Sequence, residues 1–471
     1  MKPEQILSLS SKALAAAIRE RQTSSVAAME AVLERARQVQ PKLNCFLRID
    51  EAPALEAARS ADRDASRGYW RGPLHGVPMA HKDMYYRSGV VSSCGSKITR
   101  ERPAPATATV LQRLDAAGAI QFGVLNMAEF AFGPTGHNWH YGHCRNPWNP
   151  ERLTGGSSSG SGAAVAARAS FAALGSDTGG SIRLPAALCG VSGIKPTYAR
   201  VSRAGAMPLS FSLDTVGPLT RTVEDAALFL QVIAGHDPAD PTSDSRPVPD
   251  WGSQLERPIA GLRIGRPRQY FYTDCDPEIA AVMDASLETF RELGATVVDV
   301  DMSDLDACNA AGALVSGAEA AAYHGRWLRS RGHDYSDQVR GRLLQGLAVP
   351  ATAYIDGLRM RAAALSAFCE KVFSSVDLVH APVVSFPTPT IAETDLGWSE
   401  RAAQLLSRLT RLTRPGNYLG LPTVSANAGF TREGMPVGMQ LIARPFDEAT
   451  VLRAGHAFQR VTDWHQRAPG I

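Results

Sequence analysis

Residues 154 to 185 read TGGSSSGSGAAVAARASFAALGSDTGGSIRLP, and no other part of the chain so narrows what it can fold into. Two clusters, Gly155-Gly156-Ser157-Ser158 and Gly179-Gly180-Ser181, flank an Ala-rich helical segment. Glycine tolerates positive φ and lets the backbone approach a ligand closely. Paired glycines before a serine therefore leave its hydroxyl uncrowded and its neighbouring amides free to turn into a site. Upstream, the segment Gly72 to Asp83, GPLHGVPMAHKD, sets Lys82 just behind a short apolar run, where burial lowers a lysine's pKa toward that of a base. Taken singly, each feature has a plainer meaning. A Gly-Gly-Ser-Ser-Ser-Gly run is usually a flexible loop or an anion-binding turn, Ser158 and Ser159 cap helices, and a lone lysine is solvated or paired with a neighbour such as Asp83. A phosphate-cradling loop fits less well, because the order G-x-x-x-x-G-K-[ST] is absent.

Together the segments resemble the amidase signature family, whose members hydrolyse or transfer amide-type acyl groups. The likeness rests on GPLHGVP-x-x-x-KD, the Gly/Ser run from Gly155, Asp177-Thr-Gly-Gly-Ser181-Ile-Arg183-Leu-Pro185 and Cys189-Gly-Val-Ser-Gly-Ile-Lys-Pro-Thr197. It continues more diffusely through Asn417 to Pro422 and Gly434 to Ile442. The 24 positions from Ser157 to Ser181 equal the family's separation of bridging serine and nucleophile. The resemblance thus implies Lys82 as base, Ser157 as a bridging serine in a cis peptide, and Ser181 as nucleophile. It also implies the α/β amidase signature fold, a large mixed β-sheet covered by helices.

Around Ser181 the backbone amides of Thr178, Gly179, Gly180 and Ser181 can converge into an oxyanion hole. Asp177 and Arg183 read as the hydrogen-bonded frame of that loop, and Asp83 as structural, since a carboxylate against Lys82 would keep it protonated. Cys189 has no evident His partner and reads as a packed small residue. The resemblance places a loop beside the nucleophile from Leu125 to Gly142, where Met127, Phe132, Trp139 and Tyr141 are expected to line an apolar or aromatic pocket. The chemistry requires no metal and no cofactor.

The chain carries 49 Lys and Arg against 46 Asp and Glu, spread along its length, so no electrostatic case for nucleic acid arises. Its seven cysteines are odd in number, widely spaced and without a C-x-x-C pair, which suits reduced thiols. The N-terminus has no apolar h-region and no run of 18 apolar residues follows, so a cytoplasmic protein is expected.

The spacing of apolar residues predicts helices over Ser11 to Arg21 and Ser25 to Val39, and strands over Gly76 to Ala80, Ala119 to Val124 and Ala172 to Gly175. Leu262 to Gly265 and Ala295 to Val300 bracket a helix from Pro277 to Leu293, a βαβ pattern. One domain, 1–471, is expected: a helical N-terminal segment over about 1–66, a catalytic core over about 67–235, and a remainder that completes the sheet and the substrate pocket. The polar, Pro-rich stretch His236 to Pro258 reads as a surface crossover.

The preferred function is an amidohydrolase that cleaves a neutral, partly apolar amide, an aryl amide, acylated amine or carbamate, through an acyl-enzyme on Ser181. The expected partner is a small-molecule substrate, without nucleic acid or membrane, and a homodimer is compatible with this. The alternative within the chemistry is the amidase component of a glutamine-dependent amidotransferase that works on charged tRNA. That component offers a carboxylate to the glutamine ammonium, whereas Arg401 to Gly420 contains no Asp or Glu. The alternative of a different class is a non-catalytic binding protein of the same fold, which should have lost Lys82, Ser157 or Ser181.

Overall fold

Short runs of small and apolar residues become strands because both of their faces are covered, so they show no alternation of buried and exposed positions. The computed structural model, which describes residues 1–471, forms β1 (Phe46–Ile49), β2 (Pro78–Lys82), β3 (Ile120–Leu125) and β4 (Ala172–Asp177). Every residue of β2 and β4 is buried. The later strands are β5 (Ser192–Lys195), β6 (Thr215–Thr220), β7 (Arg263–Pro267), β8 (Thr296–Val300), β9 (Leu378–Pro382), β10 (Thr423–Phe430) and β11 (Pro436–Ala443). All join one eleven-stranded sheet in the order β1-β3-β2-β4-β6-β5-β10-β11-β9-β7-β8. It is mixed: β2 runs parallel to β3 and β4, while β4, β6, β5, β10, β11 and β9 follow one another antiparallel. This is the α/β class expected.

The Ala-rich segment forms the helix Ser159–Ala166, all of it buried, against β4 and the helix Arg183–Cys189. Its small side chains suit such close contact on every side. The N-terminal helices run Ser11–Arg19 and Ser25–Leu43, the latter capped by the Ser24 hydroxyl, which accepts from the Ala27 amide. The βαβ pattern also forms, with β7 and β8 parallel and the helix Pro277–Glu292 between them.

The crossover 236–258 is fastened to the body. Trp251 is fully buried, the Thr109 and Ser202 hydroxyls both donate to Asp237, and the Arg113 guanidinium donates to the carbonyls of Ile233, Gly235 and His236. No helix is long and apolar enough to cross a membrane.

Candidate active site

Parallel pairing of β2 with β4 sets Ala80 beside Ala173 and His81 beside Leu174, so Lys82 at the end of β2 arrives next to Ser176 near the end of β4. The Lys82 ammonium is fully buried and donates to two hydroxyls, Ser157 Oγ at 2.7 Å and Ser176 Oγ at 2.8 Å. Burial lowers its pKa to about 7, against the pull of Asp214 and Asp177, which favour the charged form. Asp83 points elsewhere: its carboxylate accepts from the amides of Ser93 at 3.1 Å and Gly95 at 3.3 Å and from the Ser93 hydroxyl. The Gly156–Ser157 peptide is cis. Gly156 is crowded by backbone, with a Cβ there falling 2.6 Å from the Gly133 carbonyl oxygen, so only glycine fits.

The turn from β4 into the Arg183–Cys189 helix carries Ser181. Asp177, fully buried, organises it by accepting from the Gly180 amide at 2.8 Å and the Ile182 amide at 3.1 Å. Its carboxylate also forms a two-pronged pair with Arg183 at 3.0 Å, and Asn417 Nδ2 donates to it at 2.8 Å. Burial alone would raise the Asp177 carboxyl, but Arg183, Lys195 and Asn417 hold it below the usual carboxylate range. These bonds correct one expectation. The Gly180 amide is committed to Asp177, which leaves those of Thr178, Gly179 and Ser181, none of which donates to a group of the chain. The Ser181 hydroxyl likewise makes no hydrogen bond within the chain, and none joins it to Ser157. Cys189 is buried and donates to the Thr154 carbonyl, as a packed residue should.

The cavity at Ser181 differs from the aromatic pocket expected. Phe132 lines it, together with Thr178, Gly179, Thr410, Arg342 and Arg414. Met127 is buried in the core, Trp139 donates its indole N–H to Asp395 at 3.0 Å, and Tyr141 is a half-buried loop residue; none of the three lines the cavity. Between Met127 and Phe132 the chain turns, with Phe130 and Ala131 both at positive φ. Arg342, on the helix Asp337–Leu347, donates to the Phe132 carbonyl at 2.7 Å with its guanidinium carbon 3.7 Å from the ring centre. Arg414 donates to Asn309 at 2.7 Å and to the Thr410 hydroxyl.

Neither guanidinium has a carboxylate partner, and no Asp or Glu lines the cavity. Burial lowers Arg342 to about 9, helped by the adjacent Arg414, and burial lowers Arg414 to about 10, so both remain charged near neutral pH. The local sequence singles out neither arginine, nor Ser176. Each resembles any surface arginine or strand serine until the pairing of β2 with β4, and the docking of the Asp337–Leu347 helix, bring it to the site.

The Amidase family model matches residues 27–452. The glutamyl-tRNA(Gln) amidotransferase GatA-type protein of Geobacter metallireducens is 40% identical over 477 residues, 96% of this chain and 97% of that protein. The protein of the same name from Azotobacter vinelandii is 41% identical over 469 residues, 95% of this chain and 96% of that one. A solved structure of a vestigial protein complex, described as revealing the origins of an s-triazine catabolic enzyme, is 36% identical, covers 98% of each chain and has a TM-score of 0.88. The shared name of the two relatives overturns the expectation of a small-molecule partner without nucleic acid. It ties proteins similar to this one over nearly their whole length to glutamyl-tRNA(Gln), and each of them is one component of a larger enzyme.

Proposed function

This chain belongs to the Amidase family, and from that premise we propose that it cleaves the amide of a small carboxylate-bearing substrate, glutamine first among them, as the catalytic component of an amidotransferase acting on charged tRNA. Cleavage of amide C–N bonds is the chemistry of the family. The observation that carries the substrate class is the pair of buried guanidiniums, Arg342 and Arg414, beside Ser181 without an anionic partner. Leaving a buried charge unpaired costs several kcal/mol, so the cavity favours a ligand that supplies the anion. A neutral, apolar amide would leave both cations unsatisfied. The names of the curated relatives support the tRNA-linked setting.

The steps proceed as follows. Neutral Lys82 accepts the proton of Ser157 Oγ, Ser157 takes the proton of Ser181 as that hydroxyl turns to it, and Ser181 Oγ adds to the amide carbon. The amides of Thr178, Gly179 and Ser181 receive the negative oxygen. The proton returns through Ser157 to the leaving nitrogen, the C–N bond breaks, and an ester on Ser181 remains with ammonia released. Water, deprotonated by the same relay, adds to the ester and frees Ser181 and a carboxylic acid.

A second reading has its own observation: no Asp or Glu lines the cavity to meet an ammonium. It is hydrolysis of an anionic amide that carries no amino group. One experiment weighs both. The chain is assayed on glutamine, succinamate and a neutral aryl acylamide, with and without partner proteins and charged tRNA. Preference for glutamine supports the amidotransferase and preference for succinamate the second reading, whereas fastest turnover of the neutral amide would sink both. Arg342→Met should lower kcat/KM on the anionic substrates by about a hundredfold and leave the neutral amide little changed.

A further inference from the structure

Away from the Ser181 cavity, the segment 86–105 and the C-terminal half of the helix Leu305–Arg331 enclose a second cavity of about 320 Å³. Its walls hold three aromatic side chains, Tyr86, Tyr323 and Trp327, and two guanidiniums, Arg102 and Arg326. No Asp or Glu lines it. Two neighbouring arginines show the contrast: Arg100 pairs with Glu101 at 3.6 Å and Arg331 with Asp334 at 2.7 Å, whereas Arg102 and Arg326 have no carboxylate within 4.0 Å.

The walls are held from behind. Trp327 stacks on buried Phe130 with ring centres 5.9 Å apart and planes 19° apart, and the Tyr86 hydroxyl donates to the Met207 sulfur at 3.4 Å. Two further wall residues, Ser92 and Thr99, donate to the carbonyls of Asp83 at 2.8 Å and Ser93 at 2.6 Å. The rings are therefore preorganised as flat apolar surfaces, with two unpaired cations at the rim.

We infer that this cavity binds a planar anion, an aromatic or heteroaromatic ring bearing a carboxylate or phosphate. The ring lies against Tyr86, Tyr323 and Trp327, and the charged group is held by Arg102 and Arg326. A face of π-electrons accepts a flat ring of either sign of polarity, while guanidiniums select carboxylate or phosphate through paired N–H donors. A volume near 320 Å³ sits at the lower end of small-molecule sites, enough for one ring system and its anionic group. The inference stands apart from the reading of the Ser181 cavity, because none of these residues takes part in that chemistry.

The test is calorimetric titration of the full chain with benzoate and with adenosine 5′-monophosphate, beside inorganic phosphate and adenosine as charge-only and ring-only controls. At least one of the two ring anions should saturate with a Kd below about 1 mM, and both controls should bind at least about tenfold more weakly. Which ring anion binds identifies the charged group the site prefers. Arg102→Gln and Arg326→Gln should each weaken that binding about tenfold, with melting temperature and amide turnover unchanged, because both side chains are exposed. Ser181→Ala should leave the binding as it is, and Trp327→Leu should weaken it. Failure of both ring anions to saturate, or binding that survives the Arg102→Gln/Arg326→Gln double substitution, overturns the inference.

Discussion

Lys82 shows how a single side chain is made into a base. A neutral amine has two N–H bonds and one lone pair. If Ser176 accepts one N–H, the lone pair is left aimed at Ser157, which makes Ser176 a positioning residue. The pKa near 7 sets the pH response: kcat/KM should rise with pH through about 7 and level off above it, as the ammonium loses its proton. Ser176→Ala should lower kcat about tenfold and move that midpoint to lower pH, because the buried ammonium loses an acceptor. An unmoved midpoint in the pH-rate profile would reduce Ser176 to a packing role. Ser181→Ala should cost at least about a thousandfold in turnover with the melting curve preserved. For stability the sign is the reverse of an acid's. Lys82 in the folded chain lies below its ordinary 10.5, so the unfolded chain binds more protons between about 7 and 10.5 and stability rises with pH across that window. Lys82→Met should abolish turnover and flatten this slope, as followed by denaturant midpoints at several pH values.

The element that bears the nucleophile is the turn between β4 and the Arg183–Cys189 helix, and it is stiffened by Asp177. One carboxylate gathers two turn amides, the Arg183 guanidinium and Asn417 from a segment 240 residues further on. Asp177→Asn should therefore destabilise the chain by about 3–5 kcal/mol, since it strands Arg183 as a buried unpaired charge. Urea unfolding measures this, and a loss below about 1 kcal/mol would mean that Gln440 and Asn417 suffice to hold the guanidinium. Gly180 has φ +131°, and a Cβ there would collide with the Thr413 side chain. Gly180→Ala should cost about 1–3 kcal/mol and most of the activity, because the turn that presents Ser181 must open.

At the scale of the molecule, one sheet runs from β1 to β8 and the 236–258 crossover is tied into the core by Trp251. We propose on this ground that residues 1–471 unfold as one domain. A calorimetric scan should show a single transition, and two resolved transitions would divide the chain at the crossover. The sheet's mixed direction follows from its connections: parallel pairs arise where a helix intervenes, as between β7 and β8, and the tight β10–β11 link gives an antiparallel pair.

Much of this was legible in the linear chain because it is locally encoded. Helix caps such as Ser24, the apolar runs of β2 and β4, and the Gly/Ser clusters carry their meaning within a few residues, and Lys82, Ser157 and Ser181 stand out through motif and spacing. The misjudged part, the substrate cavity, is not local. Trp139 and Tyr141 belong to the same loop as Phe132, yet only Phe132 faces Ser181, while Arg342 and Arg414 come from segments far along the chain. The family and its reacting groups were therefore readable from residue order. The charge of the cavity, the commitment of the Gly180 amide and the second acceptor on Lys82 were decided by tertiary structure, because each depends on which distant groups share a buried volume where an unpaired charge or polar atom is costly.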